Sequence, residues 1–247
     1  ADEPLLERAA QTLGRPVSTS GFGPADFRAS GLRPDGGRMH FTVERPGADA
    51  LALTLNLPGR HNVLNALAAV AVAAELNIAD EALARAFDGF HGIRRRIQNL
   101  GELRFGARRA LLVDDYAHHP RELAATLEAA RSAWPGRRLV VAFQPHRYSR
   151  THDLLDDFAA VLADVGVLVL GEVYAAGEKP IAGADSRALS RAIRGRGRIE
   201  PVFLPDFAAL PATLDALVED GDLVLTLGAG DIGQHARELL RARRVAA

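Results

Sequence analysis

Two periodicities divide the chain. Arg38–Glu44 (R-M-H-F-T-V-E) and Leu51–Leu57 (L-A-L-T-L-N-L) alternate polar and apolar positions, as half-buried strands do, and Arg45-Pro46-Gly47-Ala48-Asp49 supplies a turn, so the two predict a hairpin. Pro16–Phe22 and Phe27–Ser30 read as short extended segments ahead of it. Asn62–Leu76, rich in Ala, Leu and Val, predicts a buried helix, and Glu81–Phe87 a second with Asp80 placed to cap it. Asp88-Gly89-Phe90-His91-Gly92 breaks the helical pattern, and a domain boundary is placed there. From Gly101 onward the strand candidates are apolar throughout: Ala110–Val113, Arg138–Phe143, Gly166–Leu170, Ile199–Phe203 and Asp222–Leu227. Helices are predicted between them at Arg121–Trp134, His152–Ala163, Ser186–Arg194 and Phe207–Val218, and a last one at Ile232–Arg243. Apolar strands joined by helices predict an α/β domain with a parallel sheet covered on both faces. In such sheets the working residues sit in the loops just past the carboxyl ends of the strands.

Those loops carry the candidate chemistry. After the first strand comes Asp114-Asp115-Tyr116-Ala117-His118-His119-Pro120: two carboxylates, a phenol and two imidazoles before a helix that opens on Pro. Carboxylates there can accept hydrogen bonds from a ribose; Asp and His can also ligate a metal, which keeps a metal-dependent hydrolase open as a reading. After the next strand, Arg147 and Arg150 lie three apart, just before a helix that Thr151 can cap. Two guanidiniums beside a helix N-terminus suit a carboxylate or phosphate, and a solvated basic turn is the plainer alternative. Gly228-Ala229-Gly230-Asp231-Ile232-Gly233 formally matches a dinucleotide fingerprint, but only fourteen residues follow Gly233, too few for a further strand bearing the ribose-binding acid. A tight turn with no ligand and an anion-binding turn both stay open. Asn62 and Asn65 fall on one helix face, where paired amides can read a purine edge, or Asn62 can simply cap the helix. Arg94-Arg95-Arg96 lies at the boundary, and the usual explanation of such a run is a solvated face.

Composition narrows the class. The chain has 247 residues, 48% hydrophobic and 25% charged, room for one large domain or two smaller ones. A net charge of −1 argues against a nucleic-acid footprint. No apolar run reaches ~18 residues, so no membrane-spanning helix is expected. The absence of Cys excludes disulfides and thiolate metal sites and fits a cytoplasmic setting. The start, Ala1-Asp2-Glu3-Pro4, has neither an initiator Met nor the features of a signal peptide, so a processed chain or a piece of a longer one is expected.

Taken in order, G-R-H-N-V-L-N, G-I-R-R-R-I-Q and V-D-D-Y-A-H-H-P resemble the later motifs of the Mur ligase family, ATP-dependent enzymes that build the peptide of bacterial cell-wall precursors. F-Q-P-H-R-Y-S-R-T and L-T-L-G-A-G-D-I-G are similar to the branch of that family that adds L-alanine. The resemblance implies that residues 1–92 are the end of the central, ATP-binding domain and residues 93–247 a C-terminal Rossmann-like domain for the amino acid. It implies ATP and Mg²⁺ as cofactors, and UDP-N-acetylmuramate and L-alanine as substrates joined by a new carbon–nitrogen bond. By this resemblance Asn62 and Asn65 face adenine, Asp115 holds the ribose, and Arg96 reaches the phosphates. Arg96 and His118 take catalytic roles, and Tyr116, His146, Arg147 and Arg150 surround L-alanine, with the two arginines on its carboxylate. Which of His118 and His119 faces the site is left open. No G-x-x-x-x-G-K-[ST] phosphate loop is present and Lys179 is the only lysine, so the Mg²⁺ ligands and the UDP-sugar domain are expected elsewhere, and this piece is expected to be inactive alone. A family member that recycles whole peptides and a non-catalytic nucleotide-binding domain are the alternatives.

Overall fold

The structure, a computed structural model, describes residues 16–245 together with Thr12 and Gly14; the first residues of the expected 1–92 domain lie outside that range. The chain divides into two compact units. One holds the chain to Gly92 with Glu128–Trp134, the other Ile93–Leu127 and the chain from Pro135.

In the first unit, β1 (Ser20–Gly21), β2 (Phe27–Asp35), β3 (Arg38–Arg45) and β4 (Ala48–Leu55) form a sheet in that order. The expected hairpin is β3–β4, paired antiparallel, with Arg45 opposite Ala48 across the turn. β2 runs five residues beyond the expected Ser30, because a register shift between Ser30 and Arg33, with Gly31 at φ 63°, lets the strand continue through a sequence that reads as a break. Helix α1 (Arg60–Glu75) lays Val63, Ala66, Leu67 and Val70 on Phe27, Phe41, Val43, Leu53 and Leu55 of the sheet. It is not buried all round as expected: Val72 and Leu76 on its far side are 58% and 67% exposed. Helix α2 (Asp80–Gly89) begins one residue before the expected Glu81, and Ala79 is its N-cap. Asp80 therefore does not cap; its carboxylate pairs with Arg45, Nη1 to Oδ1 2.6 Å, and that guanidinium holds its carboxyl below the usual range.

The second unit is a six-stranded sheet of β5 (Gln98–Phe105), β6 (Arg108–Asp115), β7 (Leu139–Phe143), β8 (Val167–Gly171), β9 (Val202–Leu204) and β10 (Asp222–Leu227), in the order β5-β6-β10-β7-β8-β9. All pairings are parallel except β5 with β6. The expected parallel α/β sheet is thus present, with an antiparallel edge strand that its polar sequence and Gly101 concealed. β9 starts after Pro201, which has no N–H to offer the ladder, and so is shorter than the expected Ile199–Phe203. One face packs Leu112, Val140, Ala142, Val169 and Val224 with Phe207, Leu210, Leu214, Ile232 and Leu239.

The helices that follow in the chain are α3 (Pro120–Ala133), of which Glu128 onward belongs to the first unit, and, in the second unit, α4 (Tyr148–Asp153), α5 (Leu155–Leu162), α6 (Ser186–Arg194), α7 (Leu210–Leu217) and α8 (Ile232–Arg243). The single helix expected over His152–Ala163 is two, α4 and α5, and α4 begins at Tyr148. Thr151 consequently lies inside α4, fully buried, and its hydroxyl donates to the Arg147 carbonyl at 2.9 Å instead of capping.

Candidate functional site

Strands β6, β10 and β7 end level with one another: Leu227 sits opposite Asp115 on one side and Phe143 on the other. The order places β10 between β6 and β7, so three loops rich in polar side chains leave the sheet side by side, the arrangement in which open α/β sheets bind ligands.

Asp114 and Asp115 are the last two residues of β6 rather than loop residues, and both are 2% exposed. Alternation along the strand sends them different ways. Asp114 accepts from Arg95 Nε at 3.0 Å and from the Thr226 hydroxyl at 2.8 Å. Asp115 accepts the backbone N–H of Ile97 at 2.6 Å and of Ala117 at 2.7 Å. Burial pushes the Asp115 carboxyl up, against those two N–H groups and the Arg96 charge. Asp115, expected at a ribose, is tied to its own turn by one bond to each oxygen, because two unpaired backbone donors lie within reach of a strand-end carboxylate.

Arg95 is the residue that the triple-arginine reading missed. It is largely buried, and its guanidinium binds Asp114, the Gly228 carbonyl and, at 3.5 Å, the Gly230 carbonyl. It lies 5.0 Å from the Tyr116 ring centroid, and its own carbonyl accepts the Tyr116 N–H at 2.8 Å. Its φ is 60° and that of Ile97 is 45°, left-handed values costly for side-chain-bearing residues, so Arg96 between them stands on a strained turn. Arg96 is exposed, 5.9 Å from the Tyr116 ring centroid.

The glycine turn has a structural explanation. A Cβ on Gly233 would lie 2.5 Å from the Arg95 Cζ, one on Gly230 2.7 Å from Tyr174 Cγ, and one on Gly228 2.7 Å from the Gln144 carbonyl. The G-x-G-x-x-G spacing here admits the protein's own groups, side chains at Gly230 and Gly233 and a backbone carbonyl at Gly228. Gln144 then caps α8 from outside, its Oε1 accepting the Ile232 N–H at 3.1 Å while its Nε2 donates to Asp231 at 2.6 Å.

The imidazoles and remaining arginines meet beside this frame. His118 faces His146, centroids 5.7 Å apart, and also the Tyr116 ring at 5.3 Å; His146 stacks on Tyr174 at 5.5 Å. His119 Nδ1 instead accepts the Arg121 N–H at 3.3 Å, so of the two histidines it is His118 whose ring lies against His146 and Tyr116. His118 Nδ1 lies 2.9 Å from the Tyr116 carbonyl and 3.2 Å from Glu122. Both neighbours are acceptors, so Nδ1 carries the proton and Nε2 is the nitrogen able to take another. Arg150 reaches back to His146, Nη1 to Nδ1 3.4 Å and to the carbonyl 3.3 Å. Burial, then the charges of His118, Arg150 and Arg147, hold the His146 pKa below the ordinary imidazole value. Arg147 is half-exposed at φ 73°, and its Nη1 is 3.8 Å from Glu178, whose carboxylate accepts the Ser149 N–H at 3.0 Å and hydroxyl at 2.7 Å. Among the described residues no group of three His, Cys, Asp or Glu side chains is arranged to hold a metal ion. Tyr174 and Glu178 escaped the sequence reading because no spacing links them to the motifs, and Gln144, inside the F-Q-P-H-R-Y-S-R-T segment, was given no role there; only Gly230 hinted at a close neighbour.

In the first unit, Asn62 is buried and its Nδ2 donates to the Pro58 carbonyl at 2.8 Å, while exposed Asn65 approaches the Asn62 Oδ1 at 3.5 Å. The N-cap of α1 is Gly59 at φ 98°, so Asn62 does not cap; it ties the helix to the preceding turn.

A parallel sheet whose strand ends gather arginines and histidines is the frame of a small-ligand-binding α/β domain, and comparison gives that frame a family. Residues 95–230 match the Mur ligase, glutamate ligase domain, and residues 1–73 the Mur ligase middle domain. The chain belongs to the Mur ligase family. It is 54% identical over 233 residues to the UDP-N-acetylmuramate–L-alanine ligase of Halorhodospira halophila, covering 94% of this chain and 48% of that protein. The chain thus spans about half the length of the curated relatives it matches. Among solved structures, the UDP-N-acetylmuramate–alanine ligase of Thermotoga maritima superposes with a TM-score of 0.76 at 27% identity, over 91% of this chain and 47% of that one. The folylpolyglutamate synthase of Mycobacterium tuberculosis, at TM-score 0.68 and 18% identity over 98% of this chain and 53% of that one, shares the fold.

Proposed function

We propose that this chain is the amino-acid-binding part of an ATP-dependent ligase that joins L-alanine to UDP-N-acetylmuramate in peptidoglycan precursor synthesis. In this reading residues 93–247 bind the amino acid and residues 1–92 end the ATP-binding domain. The cluster of His118, His146, Arg147 and Arg150 carries the proposal: both guanidinium charges bear on His146, and His118 faces it from the next loop. Two arginines there grip the carboxylate of a small amino acid and orient its amine. That amine must lose a proton before it attacks an activated carboxylate, and His118 Nε2 is the group placed to receive it, with Glu122 and the Tyr116 carbonyl fixing the tautomer.

ATP, when bound, supplies the phosphoryl group that turns the UDP-sugar carboxylate into an electrophile. The residues present fit it in part. The exposed amide of Asn65 suits an adenine edge, with Asn62 setting its position, and exposed Arg96 suits phosphate oxygens. Asp115 enters as the residue that holds the Ile97 and Ala117 turns on either side of Arg96 and Tyr116. Mg²⁺ is assigned no ligand in this chain. Substrates of this kind suit the cytoplasm, and among the described residues no helix is long and apolar enough to cross a membrane.

In an active ligase carrying this sequence, R147A and R150A should each raise the KM for L-alanine at least about tenfold, from loss of a charge-assisted hydrogen bond, with the KM for ATP little changed. An unchanged KM for L-alanine removes the assignment.

A further inference from the structure

The loop after β8 brings a carboxylate to the arginine cluster that the proposed reaction does not use. Tyr174 extends β8 beyond its end: its N–H donates to the Pro145 carbonyl at 2.8 Å and its carbonyl accepts the Arg147 N–H at 2.9 Å. Four residues on, Glu178 sits 3.8 Å from the Arg147 guanidinium, anchored by the Ser149 N–H and hydroxyl. Those two donors, and then Arg147, hold its carboxyl below the usual carboxylate range, so it is ionised at neutral pH. The groups whose charges bear on His146 are Arg150, Arg147, Glu178 and, once it has taken up a proton, His118, whose Nδ1 lies 3.2 Å from Glu122. At the proposed grip itself, the Arg147 and Arg150 guanidiniums less the Glu178 carboxylate beside Arg147 leave a single positive charge, the complement of one substrate carboxylate. Without Glu178 the cluster would match two.

We infer that Glu178 is a specificity-determining residue, which repels a second carboxylate and so restricts the amino-acid site to monocarboxylic amino acids. The inference rests on the proposed arginine grip and adds to it the repulsive element that selective sites need. Bound at Arg147 and Arg150, an amino acid with an acidic side chain would bring that charge up to the fixed Glu178 carboxylate, and like charges at such separations oppose binding.

The test is an NMR titration of the 247-residue chain with L-alanine and with L-aspartate, in wild type, E178Q and E178D. Gln retains an oxygen for the Ser149 donors but removes the charge, and Asp retains the charge on a shorter stem. E178Q should tighten L-aspartate relative to L-alanine about tenfold, and E178D should keep the wild-type preference. If E178Q leaves the ratio of the two Kd values unchanged while L-alanine still binds through Arg147 and Arg150, the inference falls and the grip stands. A shift in E178D equal to that in E178Q assigns the effect to shape and likewise overturns it. If wild type binds neither amino acid, or R147A and R150A bind L-alanine as wild type does, the grip fails and the inference with it.

Discussion

Replacing Arg95 with Met tests whether one guanidinium holds the strand ends together. The side chain is 16% exposed and Asp114 2%, so the mutation leaves a carboxylate in the sheet with the Thr226 hydroxyl as its one side-chain donor among the described residues. It also strips a charged donor from the Gly228 and Gly230 carbonyls. Breaking one side of a buried ion pair costs about 3–5 kcal/mol. Because Met fills much of the vacated volume and Thr226 still bonds Asp114, the lower end, about 3 kcal/mol, is expected. At a urea m-value of about 2 kcal/mol/M that moves the midpoint down by about 1.5 M, read by circular dichroism. Adding D114N removes the stranded charge and should restore about 1–2 kcal/mol, a coupling that a double-mutant cycle isolates. A loss under about 1 kcal/mol in R95M, or no recovery in R95M/D114N, would refute the account of Arg95 as the tie between β6 and the glycine turn.

G233A places a methyl against the same guanidinium and should destabilise by about 1–3 kcal/mol through overpacking, while in the R95M background, where a flexible thioether replaces the planar group, the same change should cost less; equal costs in both backgrounds would separate Gly233 from Arg95. His146 should titrate below its ordinary value in an imidazole NMR experiment, and R150A should move it back up; because its pKa is depressed in the fold, the stability it contributes is present above the unfolded value of about 6.5 and is lost as pH falls through the folded one. An inflection at or above 6.5 in wild type would contradict the burial and charge crowding seen around that ring.

Much of the frame was legible. The strands of the parallel sheet are apolar on both faces, a pattern no exposed strand sustains, so β6, β7, β8 and β10 were found within a few residues. The loops behind β6, β7 and β10 were marked by clusters of polar groups where a strand turns into a helix. Less legible was β5, whose single buried face and Gly101 bulge weaken its alternation. The break at Leu154 between α4 and α5 was hidden as well, since both halves keep apolar residues and no Pro or Gly separates them.

The division follows from the range over which each force acts. Periodicity and turn chemistry are local, so the chain alone determined the α/β class, the parallel strands of the larger sheet and the presence of Asp115, His118, Arg147 and Arg150 at or just past strand ends. Which side chain each of them meets depends on strand order. Only with β10 inserted between β6 and β7 does Arg95 reach Gly228, and only with β8 beside β7 do Tyr174 and Glu178 reach His146 and Arg147. These pairs lie far apart in sequence, and no local pattern encodes them. The tertiary structure therefore buried Asp115 against its own turn, set His118 rather than His119 against His146, and filled the space beside the three glycines with Arg95, Tyr174 and Gln144.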